Sequence, residues 1–223
     1  LIYDFDNTIV GTERINEELF GSLLLGEFGV SLSPPEEEIL HGLPWSGVFE
    51  WLDEHRGLAG RHAEIWARFM EVKRESLDRR KPAVATGLDL MLALPVPQAI
   101  VTGCSRLELE MVMQAIGMSQ DAFAAILCDE DCARGKPDPE GYLRALERLG
   151  VPAAEALVFE DSMPGIAAAR MAGITVAFIS ELASRDRGAE ADASFGTFTE
   201  AWAAVRDRTG GQAERATDGP VRR

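Results

Sequence analysis

The sequence predicts an α/β fold: a doubly wound parallel sheet with helices on both faces, into which a small set of helices is inserted near the start. Three observations predict it. Short apolar runs rich in Val, Ile and Phe recur at about residues 1–5, 97–102, 124–128, 156–160 and 174–179. Helical patterns alternate with the later runs, at residues 106–116, 139–149 and 164–172. Residues 11–86 break that alternation and carry helical patterns alone, at 13–28, 35–40, 47–55 and 61–80. Strands that alternate with helices imply a parallel sheet covered on both faces, and ligands of such sheets bind beyond the carboxyl ends of the strands.

The first run, Leu1-Ile2-Tyr3, is followed at once by Asp4-Phe5-Asp6-Asn7-Thr8. Alternate residues of a strand share a face, so Asp4 and Asp6 are expected to enter one small space. Two like charges so close are costly unless a cation joins them. The pair therefore points to a magnesium-dependent phosphoryl-transfer site, with one carboxylate attacking and the other handling protons. Residues 11–86, the expected cap, follow, with Gly11-Thr12 and residues 81–87 as its two hinges.

The second run, 97–102, ends in Thr102-Gly103, where a hydroxyl and an open backbone N–H could meet an anion. Between the third and fourth runs lies Arg134-Gly135-Lys136-Pro137-Asp138-Pro139, a turn-rich loop with a single lysine, which suits a point-charge phosphate clamp. The fourth run ends in Glu160-Asp161-Ser162, with Pro164 and Gly165 opening an alanine-rich helix, so carboxylates again stand at a strand end where oxygen ligands could hold a hard cation. Each piece has an ordinary use. Thr102 could cap a helix, Lys136 could be a solvated loop residue, and Glu160 and Asp161 could answer a helix dipole. Their joint order and spacing favour chemistry.

Together these segments resemble the haloacid dehalogenase superfamily of phosphohydrolases. The matching stretches are Asp4-Phe5-Asp6-Asn7-Thr8, Val101-Thr102-Gly103, Gly135-Lys136-Pro137-Asp138-Pro139 and Phe159-Glu160-Asp161-Ser162-Met163-Pro164-Gly165 running into Ile166-Ala167-Ala168-Ala169. The likeness spans residues 1 to about 180, and the long gap after the first motif is similar to the branch with a helical cap, which includes β-phosphoglucomutase and sugar-phosphate phosphatases. The resemblance implies a Rossmann-like core of residues 1–10 and 87–208, a cap of residues 11–86, and a disordered polar tail of residues 209–223. It implies a phosphoric monoester hydrolase with Asp4 as nucleophile, Asp6 as acid and base, and Thr102, Gly103 and Lys136 as phosphate ligands. Magnesium is implied as cofactor, held by Asp4, Asp6 through its backbone carbonyl, and Asp161, with Glu160 as a ligand or as a partner behind one. A cis Lys136–Pro137 peptide would also fit.

The cap segment His41-Gly42-Leu43-Pro44-Trp45-Ser46-Gly47 is similar to the family's specificity segment, which makes Gly42, Trp45 and Ser46 candidate substrate contacts. It lacks the arginine with which related mutases grip a second phosphate, leaving Arg14 and Arg56 as possible substitutes. Gly11 and Asn16 stand where those enzymes usually have Asp and His. Monoester hydrolysis is therefore expected ahead of sugar-phosphate mutase activity. A receiver-like phosphorylated switch is the remote alternative, and the motif order and the large insert argue against it. The tryptophans and histidines of the cap are more ordinarily packing or surface residues, and Cys104 a buried one.

A net charge of −15 disfavours nucleic acid and anionic membranes as partners and leaves a small phosphate monoester. The 46% hydrophobic content over 223 residues suffices for a real core. Three cysteines, Cys104, Cys128 and Cys132, form no paired metal spacing and suggest a reducing cytoplasm. No apolar run reaches the roughly 18 residues of a membrane span, and no signal peptide is visible. With Leu1 first and three residues before Asp4, the natural start is expected to lie upstream. The sequence sets no oligomeric state and is compatible with a monomer.

Overall fold

The computed structural model describes residues 1–41, 43, 45–186 and 188–215, with side chains described to residue 206. In chain order the elements begin with β1 (Ile2–Tyr3), β2 (Val10–Gly11), α1 (Glu13–Phe28), α2 (Pro34–Leu40), α3 (Trp45–Arg56) and α4 (His62–Arg79). They continue with β3 (Ala83–Val84), α5 (Leu88–Leu92), β4 (Ala99–Val101), α6 (Arg106–Ile116), β5 (Ala125–Leu127) and α7 (Glu140–Leu149). Last come β6 (Leu157–Glu160), α8 (Met163–Met171), β7 (Thr175–Ile179), β8 (Ala193–Phe195) and α9 (Phe198–Arg215).

Six parallel strands form one sheet in the order β5-β4-β1-β6-β7-β8. The chain reverses its direction of travel across the sheet at β1, which pairs with β4 through Ile2↔Ala99 and with β6 through Ile2↔Val158. That places the residues after β1 at the central crevice, between the ends of β4 and β6. Strand alternation sorts the core. Ile2, Val158 and Val176 enter the cluster on one face, while Tyr3, Phe159 and Ala177 enter the cluster on the other. On the second face Tyr3 stacks on Phe159 at 5.4 Å, and Phe198 meets both edge-on.

The four helices α1–α4 bury a third apolar cluster of their own, with Phe20, Leu24, Leu52, Ile65 and Phe69 at its centre. This insert enters and leaves through one antiparallel doublet, Val10↔Val84 and Gly11↔Ala83. The sequence reading found no strand in residues 11–86; a two-residue pairing is too short to imprint a period of two. It touches the sheet layer through α4 and α6, where Lys73 Nζ lies 2.9 Å from Glu108 Oε1 with both side chains about 2% exposed.

The expected strands and the helices α1, α2, α3, α4, α6, α7 and α8 stand within about two residues of the predicted bounds. The sixth strand, β8, was not predicted because Ala193-Ser194-Phe195 is short and only partly buried. The polar stretch expected to be disordered from residue 209 instead starts inside α9, which extends to Arg215. Residues 216–223 lie outside the described residues, as does the specificity candidate Gly42. No helix among the described residues is long and apolar enough to cross a membrane.

Candidate active site

Asp4 leaves β1 with its backbone N–H donating to Phe159 O at 2.9 Å, so the neighbouring strand carries the ladder one residue further. Three residues on, Asn7 adopts φ 57°, the left-handed region that asparagine tolerates better than most residues. Asn7 N–H donates to Val10 O at 2.7 Å, closing a tight turn that leaves both aspartates at the sheet's carboxyl edge.

Lys136 arrives from the loop between β5 and α7, and its peptide to Pro137 is cis. Its Nζ stands 2.5 Å from Asp4 Oδ1 and 2.5 Å from Glu160 Oε1. Tyr142, on the buried face of α7, donates its hydroxyl to the same Glu160 oxygen at 2.9 Å and places its ring under the ammonium at 5.3 Å. The other Glu160 oxygen accepts from the backbone N–H groups of Asp161 and Ser162, each at 3.0 Å, and from Ser162 Oγ at 2.9 Å. Ser162 also caps α8 by accepting from Gly165 N–H at 3.2 Å. A Cβ at Gly165 would overlap the Glu160 carboxylate, so glycine is required for the helix to begin this close.

Asp161 Oδ1 accepts the Thr8 hydroxyl at 3.1 Å. One oxygen each from Asp4, Glu160 and Asp161 lies within 4.8 Å of the others. Three buried carboxylates thus gather around one ammonium, which pairs with Asp4 and Glu160. Burial, reinforced by Glu160 and only partly relieved by Lys136, raises the Asp4 pKa to about 7. Burial and the Asp4 and Glu160 charges push Asp161 well above the carboxylate range. Burial also works against the Glu160 anion, but Lys136 and the hydrogen bonds from Ser162 and Tyr142 prevail and hold its carboxyl low. Lys136 loses solvation too, yet Asp4 and Glu160 keep its pKa well above the usual lysine value. Surplus negative charge on hard oxygen donors fits a divalent cation such as magnesium.

Asp6 is placed differently. One of its oxygens accepts from Thr12 Oγ1 and the other from Thr102 Oγ1 at 3.4 Å. Its carboxylate lies outside the three-acid group. Thr102 is buried at the end of β4 and accepts Cys104 N–H at 3.1 Å, while Ser105 takes the role of capping α6. Gly103 is exposed at the mouth. It also lines a cleft of about 270 Å³ that runs between Trp45, Phe49 and Trp66 of the insert and Ser105 and Asp129 of the sheet layer. Ser46 lines the same cleft.

Asp4, Asp6, Thr102, Lys136, Glu160 and Asp161 therefore meet at one sheet edge, and Trp45 and Ser46 face the cleft beside them. The two substitute arginines do not. Arg56 pairs with Glu36 and covers Trp51, and Arg14 pairs with Glu18 on the surface. His41 is engaged by Glu17 at 2.5 Å and Ser184 at 3.2 Å, and His62 by Asp53 at 2.7 Å. Sequence reasoning missed Thr8, Thr12 and Tyr142 as partners of the acids. Thr8 and Thr12 sit within the first motif and its hinge and were open to suspicion; Tyr142 reads as an ordinary apolar position of α7.

Residues 1–179 match the family model described as haloacid dehalogenase-like hydrolase. The chain is 30% identical over 188 residues to the protein CbbY of Rhodobacter capsulatus, covering 79% of this chain and 82% of that protein. It is 31% identical over 207 residues to validoxylamine A 7'-phosphate phosphatase of Streptomyces hygroscopicus subsp. limoneus, covering 89% and 93%. The crystal structure of CbbY from Rhodobacter sphaeroides in complex with phosphate matches the fold with a TM-score of 0.78 at 23% identity, covering 89% of this chain and 94% of that one.

Proposed function

Because the chain belongs to the haloacid dehalogenase-like hydrolases, we propose that it is a magnesium-dependent phosphatase that hydrolyses a small phosphorylated metabolite of the sugar or polyol class through an aspartyl-phosphate on Asp4. The observation that carries this reading is the Lys136 ammonium held 2.5 Å from both Asp4 and Glu160, beside Asp161. Such a site is built for a dianion that arrives while a carboxylate stays nucleophilic. The relatives named validoxylamine A 7'-phosphate phosphatase and fructose-1-phosphate phosphatase support the substrate class.

Asp4 and Asp161, together with the Asp6 backbone carbonyl that the resemblance implies, would hold magnesium; bound there, it supplies positive charge toward the phosphoryl oxygens and favours ionised Asp4. Glu160 has both oxygens committed to Lys136, Tyr142 and the start of α8, so its role is to position Lys136 and Asp161 rather than to ligate. Asp4 attacks phosphorus as the ester oxygen leaves, and Asp6 gives that oxygen its proton. Water then attacks the aspartyl-phosphate, Asp6 takes the water proton, and phosphate departs with Asp4 restored. Thr102, the Gly103 N–H and Lys136 meet the phosphoryl oxygens as charge redistributes. The helical insert acts as the cap that covers the leaving group and excludes water.

The cleft has no lysine or arginine among its described lining residues, which disfavours a mutase that must grip a second phosphate. All the proposed groups come from one chain, so a monomer suffices, and the three unpaired thiols suit the cytoplasm. The deciding experiment measures phosphate release from a panel of metabolite monoesters with and without magnesium, beside Asp4→Asn. We expect magnesium-dependent turnover that Asp4→Asn reduces by at least about a thousandfold. No release across the panel, or full activity in Asp4→Asn, refutes the proposal.

A further inference from the structure

The cleft beyond the phosphoryl site has two walls of different chemistry. On the insert side Trp45, Phe49 and Trp66 are each partly exposed and hold one another in place. The Trp45 ring lies 5.1 Å from Trp66 and 6.2 Å from Phe49, and from behind it is braced by Phe20 at 5.1 Å and Phe69 at 4.9 Å. A wall of packed rings cannot collapse into the cleft, and it lines that space with aromatic faces and edges, Trp45 and Trp66 crossing at 69°. Such faces carry negative quadrupole charge and attract C–H groups and cations, with tryptophan the strongest of the aromatic residues in this respect.

On the sheet side are Gly103, Ser105, Glu108 and Asp129. Glu108 is answered by Lys73 at 2.9 Å and by Ser105 Oγ at 3.2 Å, so its charge is spent inside the protein. Asp129 is exposed at the rim, and the charge acting on it from nearby is that of Glu130, another acid. The occupant of the cleft therefore meets π-faces, one serine hydroxyl from each side in Ser46 and Ser105, and a carboxylate. A second anionic group on the substrate would lose water against the rings and be repelled by Asp129. At about 270 Å³ the cleft lies just below the roughly 300–1,000 Å³ of small-molecule sites, which suits one ring.

We infer, resting on the phosphatase reading, that the leaving group is a single polyhydroxylated ring, neutral or bearing an amine and carrying no second anion, which packs its C–H groups against Trp45 and Trp66 while Asp129 selects for the amine and against anions. Trp45 and Asp129 are then the specificity-determining residues of this chain.

The test is kinetic, with purified full-length protein and magnesium. Values of kcat/KM are compared for acetyl phosphate, glycerol 3-phosphate, glucose 6-phosphate, glucosamine 6-phosphate and glucose 1,6-bisphosphate. Both ring monophosphates should exceed the bisphosphate by at least about tenfold, and glucosamine 6-phosphate should equal or exceed glucose 6-phosphate. Asp129→Lys, a rim substitution, should lower the amine-to-neutral ratio at least about threefold, the scale of exposed charge pairs made and lost, and should raise the bisphosphate. Trp45→Leu should lower the ratio of glucose 6-phosphate to glycerol 3-phosphate, with circular dichroism confirming its fold. Acetyl phosphate separates the two levels of inference. If it and all other substrates are inert, the phosphatase reading itself fails; if it is hydrolysed while the bisphosphate matches the ring monophosphates, or Asp129→Lys leaves the amine-to-neutral ratio unchanged, the specificity proposal is overturned alone.

Discussion

Lys136 Nζ sits 2.5 Å from Asp4 Oδ1, although 132 residues separate the two in the chain. The same ammonium reaches Glu160, so one cation answers two of the three buried acids and leaves Asp161 to other partners. This arrangement keeps Asp4 poised, because its pKa of about 7 is set by burial against the pull of Lys136.

The first expected outcome concerns pH. Asp4 has a folded pKa raised from 3.8 to about 7, so the folded state holds its proton more tightly than the unfolded chain. In metal-free protein its contribution to stability is fully present below about pH 4 and is lost as pH rises through about 7. Asp4→Asn cannot titrate. Urea melts should therefore show the variant and wild type alike near pH 4 and the variant more stable above pH 7, by on the order of a few kcal/mol. Magnesium should narrow the gap at pH 8 and not at pH 4.

Removing the counter-charge should do the reverse. Lys136→Met leaves Asp4 and Glu160 without their shared cation inside the protein, and the expected loss is about 3 kcal/mol at pH 8. At pH 5 Asp4 takes up a proton and the loss should shrink. Denaturant titrations at the two pH values check this, and phosphate-release assays should show activity lost at both.

Asp161 and Glu160 should separate in a magnesium titration. Asp161→Asn removes a proposed ligand and should raise the half-saturating magnesium concentration about a hundredfold. Glu160→Gln disturbs the group that positions Lys136 and should shift it about tenfold or less while lowering kcat. Equal shifts would make Glu160 a ligand.

Thr12 donates to the same Asp6 carboxylate that Thr102 faces at 3.4 Å. Thr12→Val should release Asp6 from its orientation and lower kcat about tenfold with little change in KM, whereas Thr12→Ser should restore it. The pH–rate profile should move as well, which a purely structural defect would not cause.

The Lys73–Glu108 pair joins the insert to the sheet layer and is almost wholly buried. Lys73→Met alone should cost about 3 kcal/mol, because Glu108 is left charged without its partner. The double variant Lys73→Met with Glu108→Leu should recover much of that loss in the same melts, and so measures the pairing rather than the packing.

The sheet layer was legible because each central strand is a run such as Ala99-Ile100-Val101 or Val158-Phe159, buried on both faces and therefore apolar at every position. The site acids were legible because they stand directly after those runs, where a carboxylate has little ordinary use in pairs. The edge strand β8 was not, since Ala193-Ser194-Phe195 is buried on neither face fully and leaves no continuous apolar trace. The extension of α9 past residue 209 was also hidden, as a polar sequence with two glycines carries weak local helix preference.

The local sequence by itself determined the chemical types present, the strand ends that carry them and the place of the insert, because each rests on periodicity or on neighbours along the chain. Tertiary structure decided which two acids Lys136 answers, that Glu160 is spent on Tyr142 and the start of α8, that Asp6 is gripped by two threonines, and that Trp45 faces Asp129 across a cleft free of described basic side chains. Apart from the contacts of Asp6 with Thr12 and of Glu160 with the start of α8, those partnerships are between residues far apart in the chain, and only the sheet order and the docking of the insert bring their side chains within reach of one another.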